Sequence, residues 1–461
     1  MEYETVQYYH SQPINHEWLN YPFITDKDTV QLIEQSKVMF LMRGLSGSGK
    51  STVVKKIQTI YPSNIVCSAD NCFLDERGNY NYDFNKLSNA HDSCKEMAKI
   101  NCQRGVQTVI IDNTNVKYWE AKYYFNLAYL YNYIVIIVTP KTPWQFNAEE
   151  LCRRNKHGVD LITIHRKLNT FEDFIPFFYG WFLNETLSKV LVDMGMEYLR
   201  DCLELYPTFK SNLLSRLAHV MSDGNILKDY FTRDQNRHIL HCTAKYVGKG
   251  RHYGGKQYHS RKDVKNAYAY AFTLTLFGFT FTGNTLGARI HLPKEALDIF
   301  DKPEELQRDS KPAESPLRVS PTKSPKMKSR NSTGKSSEGN FDDWANSRMS
   351  TLSGSYSVPV SSEKSSSPTK NIPAITKLYP FVRPNAHGRS AHMTLGTAYN
   401  IPSKETNIDL LDICDMEAKA SADPTDFQAV KGGRARCYDE NHCCIYLDKP
   451  YNLSVLFTGS Y

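Results

Sequence analysis

No apolar run in this 461-residue chain is long enough to cross a membrane as a helix. The best candidate, residues 268–282, is interrupted at Thr273, Thr275, Thr280 and Thr282. That spacing predicts a long strand. The 11 cysteines include no C-x-x-C pair at zinc-ligand spacing, which argues against zinc-finger and zinc-ribbon classes. Cys443-Cys444 lies in an apolar run and is expected to pack in a core. An odd cysteine count without a signal peptide predicts reduced thiols in a cytoplasmic setting. Lipid anchoring has no motif either, since Met1-Glu2 excludes myristoylation and Leu456 to Tyr461 is not a prenylation box. Any peripheral membrane association would need another means. The charge excess is only +7, compatible with an anionic partner but not demanding one. With 41% hydrophobic and 23% charged residues, the chain has the composition of an ordinary globular protein and the length of two domains.

What is present starts with Val38-Met39-Phe40-Leu41-Met42, a continuous apolar run that predicts a buried parallel strand. It leads into Gly44-Leu45-Ser46-Gly47-Ser48-Gly49-Lys50-Ser51, a full G-x-x-x-x-G-K-[ST] match, with Val53, Val54 and Ile57 following at helical spacing. Gly44, Gly47 and Gly49 let backbone N–H groups curl around phosphates at a helix N-terminus. Lys50 offers a point charge to the β- and γ-phosphates, Ser51 a hydroxyl to Mg²⁺, and Thr52 completes the nucleotide-binding set. A second strand ends near Asp70, and a third, from Thr108, runs into Asp112-Asn113-Thr114-Asn115; residues 133–138 make a fourth. Ligands bind at the carboxyl ends of such strands. Asp70 and Asp112 are therefore candidates to orient Mg²⁺ and to accept a hydroxyl proton. The basic segment around Arg153 reads equally as a phosphate lid or a solvated face, and His91, His157 and His165 are expected to be structural. Strand, phosphate loop, Ser-x-Asp and Ile-Asp-Asn-Thr-Asn resemble the polynucleotide-kinase-like branch of P-loop proteins over about residues 36–185.

Two further stretches share one pattern, apolar-His-apolar-Thr-apolar: Leu240-His241-Cys242-Thr243-Ala244 and, 151 residues on, Ala391-His392-Met393-Thr394-Leu395. Side chains alternate along a strand, so each stretch would bury one face and show an imidazole beside a hydroxyl on the other. Facing one another, the two would suit in-line attack on a phosphodiester. One His would deprotonate water and the other protonate the leaving oxygen, while the hydroxyls hold the phosphoryl oxygens. Between these stretches, residues 303–373 are rich in Ser, Pro and Lys, with Ser-Pro at Ser315, Ser320, Ser324 and Ser367. Such a composition predicts a disordered insert.

The flanks of the two stretches carry a second resemblance. His241 to Tyr246, Ala271 to Thr275, Thr285 to Arg289, Ala391 to Gly396 and Phe457-Thr458-Gly459 look like the 2′,3′-cyclic-nucleotide 3′-phosphodiesterases of the 2H phosphoesterase family. That resemblance implies hydrolysis of 2′,3′-cyclic nucleotides, or of RNA ends carrying a 2′,3′-cyclic phosphate, to 2′-phosphates without a metal at the histidines. His241 and His392 would be the acid–base pair, Thr243 and Thr394 the phosphate holders, and Tyr246 a lining of the base pocket. The reading preferred here gives water activation to His392 and leaving-group protonation to His241. ATP or GTP with Mg²⁺ at the P-loop, RNA and cytoskeletal proteins are the other expected partners. Asp70, Asp112 and Arg153 would permit a 5′-hydroxyl kinase, and a silent scaffold is the third reading. One departure stands out: Ser390 occupies a position where the family has arginine, with Arg389 one residue earlier. Vertebrate members also carry a prenylated tail, which this chain stops short of. The expected fold is α/β plus α+β: an N-terminal extension (1–35), a P-loop parallel sheet flanked by helices (36–205), and a phosphoesterase domain of two antiparallel sheets (206–302 and 374–461) split by the insert.

Overall fold

The computed structural model describes residues 17–75, 77, 80–218, 239–300, 390–398, 400–420 and 423–461. The expected insert with its Ser-Pro sites, Arg389, and residues 1–16 of the extension lie outside that set. Four strands, β1 (Val38–Met42), β2 (Asn64–Cys67), β3 (Thr108–Ile111) and β4 (Ile134–Val138), form a parallel sheet in the order β2-β3-β1-β4. Every residue of β1 is buried because helices cover both faces. Val38, Phe40 and Met42 pack with Leu32, Val53 and Ile57 on one side. Met39 and Leu41 meet Cys94, Ala98 and Tyr124 on the other. The unbroken apolar run has this two-sided burial as its cause.

β4 is the edge of that sheet, and the second domain completes it. The Ile137 N–H donates to the Tyr268 hydroxyl (2.9 Å), and the Thr458 hydroxyl donates to the Val135 carbonyl (2.8 Å). Polar groups that would otherwise template another strand are thereby satisfied. One apolar cluster joins Ile134 and Ile136 to Phe182, Ile239 and Leu456 across the junction, and Lys37 pairs with Glu185 at 2.7 Å.

The second domain contains β5 (Phe178–Phe182), β6 (His241–Tyr246), β7 (Ala271–Thr282), β8 (Thr285–His291), β9 (His392–Thr397), β10 (Gln428–Val430), β11 (Gly433–Cys437) and β12 (His442–Ser460). They pair antiparallel in the order β10-β11-β12-β5-β6-β9-β8-β7, and β12 also pairs with β7. The two sheets expected from sequence are therefore joined into one, and six of its strands close into a ring. β12 makes this happen. Its 19 residues pair with β11 and β7 early and with β5 and β7 late. The register slips between Tyr446 and Tyr451, where Pro450 has no amide to give the ladder.

β5 lies ahead of residue 205, beyond which the second domain was expected to begin. The aromatic-rich segment Phe178–Phe182 is a strand hydrogen-bonded to β12 and β6, so the second sheet begins before residue 205. It fails to alternate because Tyr179 and Trp181 enter the main core while Phe182 enters the junction cluster. The helix Glu185–Leu205 follows, capped by the Asn184 side chain accepting from the Leu187 N–H. It packs Leu191, Leu199 and Cys202 in the main core behind the site strands. Gly195 permits the approach, since a Cβ there would stand 2.7 Å from Leu395 Cδ1.

The cysteines differ from expectation at one place. Cys443, expected to pack as a thiol, is disulfide-bonded to Cys437, its partner across the β11–β12 hairpin. A separation of six residues around a tight turn brings the two opposite one another. Cys444 is a buried thiol. Among the described residues no helix is long and apolar enough to cross a membrane.

Candidate active site

β6 and β9 lie side by side, antiparallel, with Cys242 opposite Met393. Both of these side chains are fully buried in the core. Alternation then turns His241, Thr243, His392 and Thr394 to the opposite face, where all four are partly exposed. The register set by Cys242 and Met393 puts His241 across from Thr394 and Thr243 across from His392. The two imidazoles are thus diagonal neighbours, with β-carbons about 7 Å apart, a spacing that admits a phosphoryl group between the rings.

Each histidine has its own support. The His241 ring stacks on Phe178 (centroids 4.6 Å, planes 21° apart) and on Phe182 (5.4 Å, 26°), both from β5. His392 Nδ1 lies 2.7 Å from the Ser390 carbonyl. A carbonyl only accepts, so Nδ1 carries a proton, and in the neutral ring the lone pair is on Nε2. The Ser390 N–H in turn donates to Asn407 Oδ1 (3.0 Å), and Thr394 Oγ1 donates to Thr406 Oγ1 (2.9 Å). Asn407 and Thr406 sit on the helix Glu405–Lys419, so one helix positions both polar residues of the second strand. Neither residue had a signal in sequence, because each acts through a neighbour brought close only by folding. Ser390 thus contributes its backbone carbonyl to the site.

A β-bulge decides where Tyr246 points. Thr243 pairs with Gly180 and Lys245 with Tyr179, leaving Ala244 extra on β6. The bulge reverses the alternation. Lys245 becomes buried beside Tyr179, and Tyr246 pairs with Phe178 on the face that carries His241 and Thr243. Burial raises the Tyr246 phenol above its ordinary value, with Arg251 opposing. Arg289, across from His392 on β8, serves a different purpose. It is fully buried and bound at both terminal nitrogens by Glu417 (2.5 and 2.9 Å). Burial alone would lower the guanidinium, but Glu417 outweighs that and holds it well above its usual range. Glu417 also accepts from the Tyr446 hydroxyl, which contacts that of Tyr438.

The phosphate loop follows β1 and opens the helix Lys50–Ile60, with Gly49 as its left-handed cap (φ 100°). Gly47 also has positive φ (83°), and a Cβ there would stand 2.5 Å from the Leu151 carbonyl, so the curl requires glycine. Lys50 Nζ donates to the Leu45 carbonyl at 3.1 Å. Its pKa is lowered by burial, against the pull of Asp112 and Asp70. Asp112 is raised by burial, with Lys50 opposing. Ser51 and Thr52 are exposed at the helix start. Asp70 accepts from the Tyr80 hydroxyl (3.2 Å) and lies 3.8 Å from His157 Nε2. His157, expected to be structural, therefore belongs to this site. Its loop folds over from residues far from Asp70 in sequence, which no local pattern reveals. Arg153, 64% exposed, pairs with Glu150 on its own helix at 2.8 Å. Arg154 lies over Trp144 (3.9 Å), and the Trp144 indole donates to the Gly47 carbonyl (3.1 Å). A nucleotide with its cation fits these residues: the glycine cradle is formed, and Ser48 Oγ is buried without a protein partner.

A glycine-cradled phosphate loop on a parallel sheet, joined to paired His/Thr strands, is the build of a two-domain phosphoryl-handling protein. Comparison with known proteins sharpens the class. Residues 175–320 match the model of 2′,3′-cyclic nucleotide 3′-phosphodiesterase, and residues 39–173 match an AAA domain. The 2′,3′-cyclic-nucleotide 3′-phosphodiesterase of Pongo abelii is 25% identical over 448 residues, 96% of this chain and 87% of that protein. The Rattus norvegicus protein of the same name is 29% identical over 294 residues, 62% of this chain and 68% of its own length. NEDD4-binding protein 2 of Homo sapiens is 38% identical over 138 residues, 30% of this chain but 8% of that protein. The chain thus carries a domain of the 2′,3′-cyclic-nucleotide 3′-phosphodiesterase family behind a P-loop-type AAA domain. The family match contains His241, Thr243 and Tyr246, and ends before His392 and Thr394.

Proposed function

We propose that this protein hydrolyses 2′,3′-cyclic nucleotides, free or at RNA ends, to 2′-phosphates with its two histidines. The observation that carries this reading is the pairing of β6 with β9, which gives both H-x-T motifs one exposed face. His392 Nε2, kept basic by the Nδ1 hydrogen bond to Ser390, takes a proton from water. The water oxygen bonds to phosphorus as the bond to O3′ breaks. His241 gives its proton to O3′, and the next turnover needs that proton returned and the one on His392 released. Thr243 and Thr394 hold the non-bridging oxygens, and Tyr246 stacks on the base.

The test is product analysis with 2′,3′-cyclic AMP and no added metal. 2′-AMP as the sole product is expected. 3′-AMP would mean that the other P–O bond breaks, and no turnover would favour a binding scaffold.

The first domain would bind a purine nucleoside triphosphate, with Lys50 on its phosphates and Ser51 toward Mg²⁺. A second reading, transfer of the γ-phosphoryl to an RNA 5′-hydroxyl, is favoured by Asp70 standing beside Tyr80 and His157 near Lys50. γ-labelled ATP with 5′-hydroxyl RNA tests it; RNA that stays unlabelled removes the kinase.

A further inference from the structure

The loop after β6 is built from backbone conformations that side chains rarely adopt. Gly248, Lys249 and Gly250 are successive left-handed residues (φ 54°, 54° and 77°). Glycine tolerates this; lysine does so at a cost, and such a residue persists only where its surroundings hold it. Two kinds of contact hold Lys249. Backbone hydrogen bonds tie the loop to the segment before β5: the Val247 and Gly248 N–H groups both donate to the Phe177 carbonyl (2.8 Å each), and the Lys249 N–H donates to the Pro176 carbonyl (2.9 Å). The Lys249 ammonium then sits between two rings, 4.2 Å from the centroid of Phe177 and 4.3 Å from that of Tyr118.

Tyr118 belongs to the other domain. It begins the helix Tyr118–Leu130, just after the Asp112-Asn113-Thr114-Asn115 stretch. Its N–H donates to Glu172 Oε2 (2.7 Å), and its ring packs on Phe125 (5.5 Å) and Phe174 (5.6 Å). The seat for the cation is therefore packed against two further rings of the P-loop domain. On the far side of the loop stands Tyr246. His252 meets its ring edge-on at 5.2 Å and 85°, and a Cβ on Gly248 would stand 3.3 Å from Tyr246 Cε1. The chain that walls the Tyr246 ring is thus the chain that Lys249 fastens to the P-loop domain.

We propose that Lys249 is a positioning residue for the nucleobase end of the phosphodiesterase site, and that the P-loop domain takes part in that site through Tyr118. The inference rests on Tyr246 being the base platform. Without the cation between its rings, the left-handed turn relaxes and the wall around Tyr246 loosens. The histidines, on the strands themselves, keep their geometry.

The experiment is steady-state hydrolysis of 2′,3′-cyclic AMP by the full chain, with binding of 2′-AMP measured on the same preparations. Lys249→Met and Tyr118→Leu are each expected to raise KM, and to weaken 2′-AMP binding, by about threefold to tenfold, the range of one partly buried cation–π contact. kcat stays within about twofold, because no group at the phosphorus is touched. The double variant is expected to be no worse than the poorer single one, and Lys249→Arg to restore most of the loss, since a guanidinium also seats on aromatic faces. A loss confined to kcat, additive effects, or an arginine variant as poor as the methionine one would overturn the proposal. If the unaltered protein turns nothing over, the phosphodiesterase reading fails. The proposal is then judged by 2′-AMP binding alone, and unchanged affinity in the variants ends it.

Discussion

Removing the Arg289 guanidinium with Arg289→Met leaves the Glu417 carboxylate fully buried with the Tyr446 hydroxyl as its hydrogen-bond donor. Stranding one member of a buried ion pair costs about 3–5 kcal/mol. For a domain of this size each kcal/mol moves the thermal midpoint by about 2–4 °C, so a fall of roughly 10 °C is expected. The pair itself need not be stabilising, because its attraction is set against the desolvation of both ions. Arg289→Met with Glu417→Leu should therefore recover most of the loss. The new side chains would pack against Phe277 and Cys414, while the Tyr446 hydroxyl keeps its contact with Tyr438 at 2.5 Å. Urea unfolding followed by the fluorescence of buried Trp181, which lies in the core of the same domain, reads the effect. A cost below about 1 kcal/mol for Arg289→Met, or a double variant at the sum of the two single losses, would refute the account of an interdependent buried pair.

Three other outcomes are expected. His241→Ala and His392→Ala should each lower kcat by about 10²–10⁴-fold with folding retained, and the double variant should be little worse than one; turnover surviving in the double variant, assayed by separating 2′-AMP, would move the chemistry elsewhere. Lys50→Met should abolish titratable binding of a fluorescent ATP analogue, because the buried ammonium is the charge in the glycine cradle; undiminished binding would place the nucleotide outside the phosphate loop. Asp173 is held below the ordinary carboxylate range chiefly by its hydrogen bond with His259 (3.0 Å), so its contribution to stability is fully present above about pH 4 and is lost as pH falls through its lower folded value. Asp173→Asn should lie below the unaltered protein in stability at pH 6 and converge on it as pH falls below the ordinary carboxylate range, and parallel curves would exclude the linkage.

Local chemistry carried much of this into the sequence. β1 reads as a buried parallel strand because both of its faces are covered, and the glycines after it read as a cradle because only glycine curls the chain that way. The H-x-T pattern made a one-sided strand legible at both sites. A long β7 was legible from its threonines, which stand at ladder positions across from β8 and β12. β5 was not legible as a strand of the second sheet, since its aromatics answer to two different cores. Composition left Arg153 equally a lid residue or part of a solvated face, and its pairing with Glu150, three residues back on the same helix, depends on side-chain placement that composition does not carry.

By itself the sequence determined which side chains share a face within each short element, because that depends only on backbone periodicity. It could not determine which elements meet. That β6 lies against β9 across 151 residues, that His157 reaches Asp70, and that Lys249 is caught by Tyr118 of the other domain all follow from closing the ring of strands and docking it on the edge of the parallel sheet. Tyr246 shows the division within a single strand. Periodicity alone puts it with Cys242 and the core, and only the pairing of β6 with β5, which leaves Ala244 unmatched, turns its ring toward the histidines.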